Sequence, residues 1–373
     1  MKAAVTVLAF CVAALLALGI VMLYSSSMTQ VGAHYVVLQL VWCALGLVLC
    51  VSAASMNYQL LKKMAWPLFV VAALLLLLVL IPHVGRRING ARRWFDFHGV
   101  RFQPSELSKL ALVIALAWYG EYFQRQMPAW KRGILIPGVF IGLVLGLIFI
   151  EPDRGTTILL AAVSGAMLLV AGVRWKYFVP PILAGALAIG LSIWRDPVRM
   201  KRIFSWLNLE EHKSGAGYQA YQAMLALGRG GWTGLGLGNG RQKLGFVPEH
   251  HTDFILSIIG EELGLIATLL VVMAFVVIVI CGIYVSCRAR DTFGLLLGSG
   301  ITFLIGLQAA INIGVVTSAL PNKGLPLPFI SYGGSNLVAM LTCVGLLLSI
   351  ARQARLPEHV PVAPFKSGEV QPA

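Results

Sequence analysis

The residues best suited to chemistry gather in Gly228–Glu262, which reads GRGGWTGLGLGNGRQKLGFVPEHHTDFILSIIGEE. Seven glycines between Gly228 and Gly240 allow sharp turns and close backbone approach to a ligand. The basic pair Arg241 and Lys243 follows. A polar knot, Glu249-His250-His251-Thr252-Asp253, then runs directly into an apolar helix. A carboxylate at the mouth of such a helix is costly to desolvate, which makes Asp253 the first functional candidate. It also suits the plainer task of capping the helix.

Three further polar stretches interrupt apolar sequence. Arg101-Phe-Gln103-Pro104-Ser105-Glu106-Leu-Ser-Lys109 opens one helix, with Pro104 suited to the first turn. Glu106 and Lys109 are i,i+3 neighbours and can pair, either as part of a site or as a lock between helices. Glu151-Pro152-Asp153-Arg154-Gly155 places two carboxylates at a tight turn. They could bind a cation or pair with Arg154. Pro321–Ser335, rich in proline and glycine, breaks the entry to the last apolar run. Non-helical backbone at membrane depth is tolerated where protein or a wet cavity covers it. Two tempting readings are set aside. GLGLGNG lacks the preceding strand of a dinucleotide fingerprint. His250-His251 lacks the other spaced ligands of a zinc site.

The chain that must position these residues is 58% hydrophobic and only 12% charged, with a mean hydropathy of +0.83. Repeated apolar runs of bilayer-spanning length imply a polytopic all-α membrane protein. Ten spans are expected, near 4–24, 35–54, 65–82, 104–120, 133–150, 156–173, 177–194, 254–286, 292–316 and 326–350. They form one membrane unit over 1–355, with a single long external loop at 195–252. The Pro-rich polar tail, 356–373, reads as disordered. Lys2 with the apolar run behind it resembles a signal peptide but reads as a retained first helix.

The net charge of +14 favours anionic lipid or an anionic substrate as partner. No nucleic-acid signature accompanies it. The six cysteines have no paired spacing and read as small core residues. Ten spans put both termini on one side. Thirteen Lys and Arg then face that side and fifteen the other, so the positive-inside count decides nothing. The fifteen concentrate in two loops, as if to hold an anion.

Arg101-x-Gln-Pro-Ser-Glu-x-x-Lys109, Glu-Pro-Asp-x-Gly155, Arg241-Gln-Lys-Leu-Gly-Phe-x-Pro-Glu249, His251-Thr-Asp-Phe254, Gly260-Glu-Glu262 and Gly324-Leu-x-Leu-Pro-x-Ile-Ser-Tyr-Gly-Gly334 together resemble the SEDS family. That family comprises FtsW, RodA and SpoVE. The likeness covers nearly the whole chain, in order. The run around Arg241 is closer to the FtsW and SpoVE types. One position departs: the family's turn is commonly Glu-Pro-Asp-Leu/Phe-Gly, and Arg154 stands here.

The resemblance implies a peptidoglycan glycosyltransferase of the bacterial cytoplasmic membrane. It would polymerise lipid II on the outer face, with both termini cytoplasmic. Its expected partners are a class B penicillin-binding protein and other division proteins. The family's essential aspartate falls on Asp253, the expected general base. Arg101, Lys109, Arg241 and Lys243 are expected to stabilise the leaving pyrophosphate, since such charge needs cations. Gln103, Ser105, Glu106, His251 and Ser331 are expected to help bind the substrate. A divalent cation, Mg or Mn, could share that work, although no ligand set asserts a metal site. A lipid flippase and a non-catalytic division scaffold are the competing classes. A flippase should show paired half-sites, whereas the polar chemistry here gathers near one face.

Overall fold

The computed structural model describes residues 1–27, 32–88, 91–97, 100–213, 215, 217–247 and 251–354. The 356–373 tail, along with Glu249 and His250, therefore lies outside the described residues. Three helices come first: α1 (Lys2–Ser27), α2 (His34–Ser55) and α3 (Leu60–Leu80). A small sheet follows, made of β1 (Arg86–Ile88), β2 (Ala91–Phe97) and β3 (Val100–Phe102). Then come α4 (Pro104–Tyr122), α5 (Ile136–Ile150), α6 (Arg154–Val170) and α7 (Val179–Trp194). The long external loop carries α8 (Pro197–Leu207) and α9 (Tyr218–Gly230). The chain ends on α10 (Ile255–Cys287), α11 (Thr292–Val316) and α12 (Gly334–Gln353).

Eight described helices are long and apolar enough to cross a membrane. The two remaining expected spans fall on α4, which carries Glu106, Lys109 and Glu121, and on α6, which is apolar but shorter. Length and composition thus establish a polytopic helical protein without fixing the number at ten. The helices start where their sequences direct. Pro104 occupies the first turn of α4 behind extended Gln103. Asp153 caps α6 by accepting from the Thr156 amide at 3.1 Å, and Asp291 caps α11 by accepting from Gly294 at 3.2 Å.

The sheet is an addition to the all-helical expectation. Its strands run antiparallel in the order β1-β2-β3, and Asp96 pairs across β3 with Arg101. Asp96 also meets Arg86. These contacts lay the Arg-rich segment over the end of the bundle that begins α4. The core runs through α4, α10, α11 and α12, where apolar side chains surround a few buried polar ones such as Glu106, Lys109, Glu262, Gln308 and Asn312. The closest helix pair, α2 with α12, needs a small residue: a Cβ on Gly345 would stand 2.3 Å from the Cys50 carbonyl oxygen.

The two ends of the bundle carry different polar chemistry. At one end, Lys62 Nζ binds Glu121 Oε1 and Asp291 Oδ2, each at 2.8 Å. The Tyr58 hydroxyl donates to Asp291 at 2.6 Å. This network ties the start of α3 to the end of α4 and the start of α11. Arg101 and Gln103, before α4, and the 317–333 loop, after α11, lie at the opposite end.

Candidate active site

Asp253 sits in the turn that leads into α10, half-buried. Three successive carbonyl oxygens hold that turn to neighbouring elements. His251 O accepts from the Tyr332 amide at 3.0 Å. Thr252 O accepts from the Ser331 hydroxyl at 2.6 Å, and Asp253 O accepts from Asn312 Nδ2 at 2.8 Å. Asn312 also donates to Leu325 O at 2.7 Å, so one α11 side chain clamps both segments. Ser331 accepts in turn from the Leu327 amide, and its own carbonyl accepts from Gln39 on α2. The carboxylate is thereby delivered against Gly324, where a Cβ would lie 2.6 Å from Asp253 Oδ2.

Lys323, next to Gly324, was not singled out from sequence. It is half-buried, with no ion pair or hydrogen bond among the described residues, and burial pushes its ammonium below the ordinary lysine range. Its signal was available in Pro-Asn-Lys-Gly, a lone cation inside a loop of prolines and glycines.

The expected site residues divide into two groups. Arg101, His251, Ser331 and Asp253 come together at one end of the bundle. His251 stacks on Tyr35, with ring centroids 4.9 Å apart, and Tyr332 leans on both. Burial and then Tyr35 raise the Tyr332 hydroxyl, while the Arg101 guanidinium lowers it, which places Arg101 beside the cluster. Ser335 bridges Arg101 O and the Gln103 amide, each at 3.2 Å. The Gln103 side chain donates to Ser105 Oγ at 2.9 Å and reaches Asp153 Oδ2 at 3.4 Å.

Lys109 stands one helical turn away along α11. It is 1% exposed, pairs with Glu106 at 2.7 Å and donates to Gln308 Oε1 at 3.0 Å. Gln308 and Asn312 are i,i+4 on α11, so the Lys109 pair and the Asp253 turn share one face of that helix.

Arg241 and Lys243 sit apart, roughly two turns along α10 from Asp253. Arg241 is exposed, with its amide held by Glu261 Oε1 at 3.0 Å. Lys243 is 2% exposed and uses its ammonium on Glu262 at 2.6 Å, Gly238 O at 2.8 Å and Ser25 at 2.9 Å. This bonding staples the glycine-rich segment to α10. At Gly264 the helix breaks, with φ at 79°, and the Glu261 and Glu262 carbonyls accept from the Leu235 and Gly236 amides instead.

The Glu-Pro-Asp turn borders the site through Gln103. Arg93 donates to the Glu151 and Pro152 carbonyls at 2.9 and 2.6 Å and lies 3.8 Å from Asp153. The Glu151 side chain is fully buried with both oxygens unbonded, and burial with the nearby Asp153 pushes it up to about 8. Arg154 bonds Ser192 on α7 and covers the Phe149 ring. Among the described residues no group of three or more His, Cys, Asp or Glu could hold a metal ion.

What the arrangement offers chemically is a carboxylate on a clamped turn, a patch of aromatic rings with Arg101 beside it, and a half-buried lysine in the adjoining loop. Known proteins share the whole frame. One relative, a probable peptidoglycan glycosyltransferase FtsW from Trichlorobacter lovleyi, is 39% identical over 356 residues, covering 94% of this chain and 93% of its own. A protein of the same name from Coxiella burnetii is 40% identical, covering 91% and 94%. A chain solved in work on the structural coordination of polymerization and crosslinking by a peptidoglycan synthase complex superposes with a TM-score of 0.80. It is 30% identical and covers 93% of this chain and 97% of that one. The rod shape determining protein RodA of Thermus thermophilus gives 0.71 at 30% identity, covering 94% and 97%. The sequence model of the family, described as "Cell cycle protein", matches residues 6–356, and the chain belongs to this FtsW/RodA/SpoVE family.

Proposed function

We propose that this protein is a peptidoglycan glycosyltransferase that polymerises lipid II, with Asp253 as the general base. The acceptor's 4-hydroxyl attacks the anomeric carbon of the donor sugar. The α-linked polyprenyl pyrophosphate leaves, and a β-1,4 bond forms with inversion. Asp253 takes the hydroxyl proton, a task worth roughly 10²–10⁴-fold in rate. The observation that carries this reading is the clamped turn, in which three consecutive carbonyls fix the carboxylate against Gly324. Preorganised groups of this kind need no rearrangement as charge develops.

Lys323 and Arg101 are the cations placed to meet the departing pyrophosphate, with exposed Arg241 further out along the substrate's path. Lys109 and Lys243, whose ammonium groups are buried and bonded, hold the frame: the first through Glu106 and Gln308, the second through Glu262. Gln103, Ser105, Glu106 and Ser331 position that frame, and His251 faces the sugars. A magnesium or manganese ion would arrive with the pyrophosphate itself, and no step here depends on it. The reading includes the bacterial cytoplasmic membrane as location, both termini in the cytoplasm and this site on the outer face. A class B penicillin-binding protein would crosslink the product, within a complex of other division proteins.

Glycan formation in detergent from labelled lipid II tests the proposal, with the partner transpeptidase present. No membrane separates compartments there, so lipid transport cannot imitate activity. Asp253→Asn keeps size and shape but removes the proton acceptor. The variant is expected to fold, bind lipid II and lose about 10²-fold or more in rate. Wild-type polymerisation by the variant would remove Asp253 as base. No polymerisation by the native protein would favour a flippase or a scaffold.

A further inference from the structure

Beside the base lies a cluster of rings that the proton-transfer chemistry does not use. Tyr35, from the first turn of α2, stacks on His251 at 4.9 Å with planes 13° apart. Tyr332 closes on Tyr35 at 4.8 Å and on His251 at 6.0 Å. All three side chains are half-buried, so the cluster presents ring surface outward instead of filling the core. Its members come from three separate elements, yet hydrogen bonds fix it. Tyr332 N donates to His251 O at 3.0 Å, Ser331 Oγ to Thr252 O at 2.6 Å, and Gln39 of α2 donates to Ser331 O at 3.2 Å. Gln39 is one helical turn beyond Tyr35, so α2 is bolted to the same loop.

We infer that Tyr35, His251 and Tyr332 form a stacking platform for the pyranose ring whose hydroxyl Asp253 deprotonates, that is, the acceptor sugar. This rests on the polymerase reading and adds the subsite that reading leaves open. His251 is two residues before Asp253, which limits their Cα separation to about 7 Å. A pyranose lying on the rings would therefore bring one of its equatorial hydroxyls to the carboxylate. Pyranoses with equatorial substituents expose an apolar C–H face, and an aromatic surface desolvates that face while leaving the hydroxyls free. Ligand sites typically join such apolar surface to a few fixed polar groups. Here those groups are Asp253 at one edge and Arg101 at the other.

The test is direct binding of the soluble N-acetylglucosaminyl–N-acetylmuramyl disaccharide to the detergent-purified full chain. Saturation-transfer NMR reports which sugar protons touch the protein. The native chain is expected to saturate the C–H protons of the ring bearing the free 4-hydroxyl. Tyr35→Leu and Tyr332→Leu should weaken binding roughly three- to tenfold, while Tyr35→Phe and Tyr332→Phe stay within twofold. In the polymerisation assay the Leu variants should raise KM for the acceptor and leave kcat nearly unchanged. Thermal melting of the Phe variants controls for folding. Equal binding by the Leu variants overturns the platform, as does an absence of ring saturation in the native chain. So does a loss of melting temperature without a change in affinity, which would make these rings an interfacial anchor. The Asp253→Asn variant should bind the disaccharide normally, so a failed base assignment and a failed platform give different results.

Discussion

The carboxylates of Asp253 and Glu151 sit in opposite surroundings. Asp253 is half-buried in the turn that also carries His251 of the aromatic cluster. Glu151 is sealed, with neither oxygen bonded. Burial raises it to about 8, with Asp153 adding and Arg93 subtracting. The consequence for stability has a definite sign. An acid whose folded pKa exceeds its unfolded value near 4.5 binds a proton in the folded state that the unfolded chain has released. Its contribution is full below about 4.5 and is lost as pH rises toward about 8. The slope is at most about 1.4 kcal/mol per pH unit. The native protein should therefore melt higher at pH 6 than at pH 8, and Glu151→Gln should flatten that difference. A parallel pH profile for the variant would place the titration elsewhere. Asp253 could be read from sequence because a polar knot meeting an apolar run marks it. Lys323 could not be ranked the same way, since its isolation from any counter-charge exists only once the 317–333 loop has folded over α10 and α11.

At the scale of elements, the glycine-rich segment shows what spacing conveys and what it hides. Its glycines announced tight turns, and the structure uses them to approach α10. A Cβ on Gly230 would lie 1.8 Å from the Gly260 carbonyl oxygen, and one on Gly234 would lie 2.2 Å from that of Glu262. Sequence suggested that Arg241 and Lys243 form a pair facing a ligand. The fold separates their charges: Arg241 gives its amide to Glu261 and keeps its side chain exposed, whereas the Lys243 ammonium is buried on Glu262. Glu261 takes the Arg241 and Gln242 amides, and Glu262 takes Lys243 together with the Gly238 amide. The small sheet was legible but unread: Asn89-Gly90 is a strong hairpin dipeptide between strand-like runs. The buried Lys243–Glu262 pair also makes a prediction. Removing one partner leaves a buried charge uncompensated, at a cost of about 3–5 kcal/mol. Lys243→Met should lower the melting temperature and expose the 231–245 segment to protease. Adding Glu262→Gln to that variant should recover much of the loss. No recovery would mean that the ammonium's other bonds, to Ser25 and Gly238, carry the stability instead.

At the scale of the whole molecule, burial is uneven, and α7 is its extreme. The faces of α4, α11 and α12 are largely buried, whereas α7 buries none of its residues. It packs on α8 and on the Trp175–Phe178 turn that precedes it. A cavity of about 490 Å³ opens between it and the end of α5, lined by Phe149, Ala188, Leu191, Ser192 and Arg195. Its span was plain from hydropathy, but its detachment was not, because apolar sequence looks alike whether it faces lipid or protein. The unusual Arg154 bears on this point. Sequence left it to pair with Asp153 or to extend an anion site. Instead it leaves the α6 cap, lies on Phe149 and donates to Ser192 across the gap. With little burial to hold α7, this polar tether should help set how far the helix strays. Arg154→Leu should then broaden the distance between spin labels at Leu187 and Val139. The labels belong in a chain whose six native cysteines are replaced. Global stability should change by less than about 1 kcal/mol, since a partly exposed hydrogen bond contributes about that much. An unchanged distance distribution would show that α7 is held by the lipid and by α8 alone, with Arg154 serving only to cover Phe149.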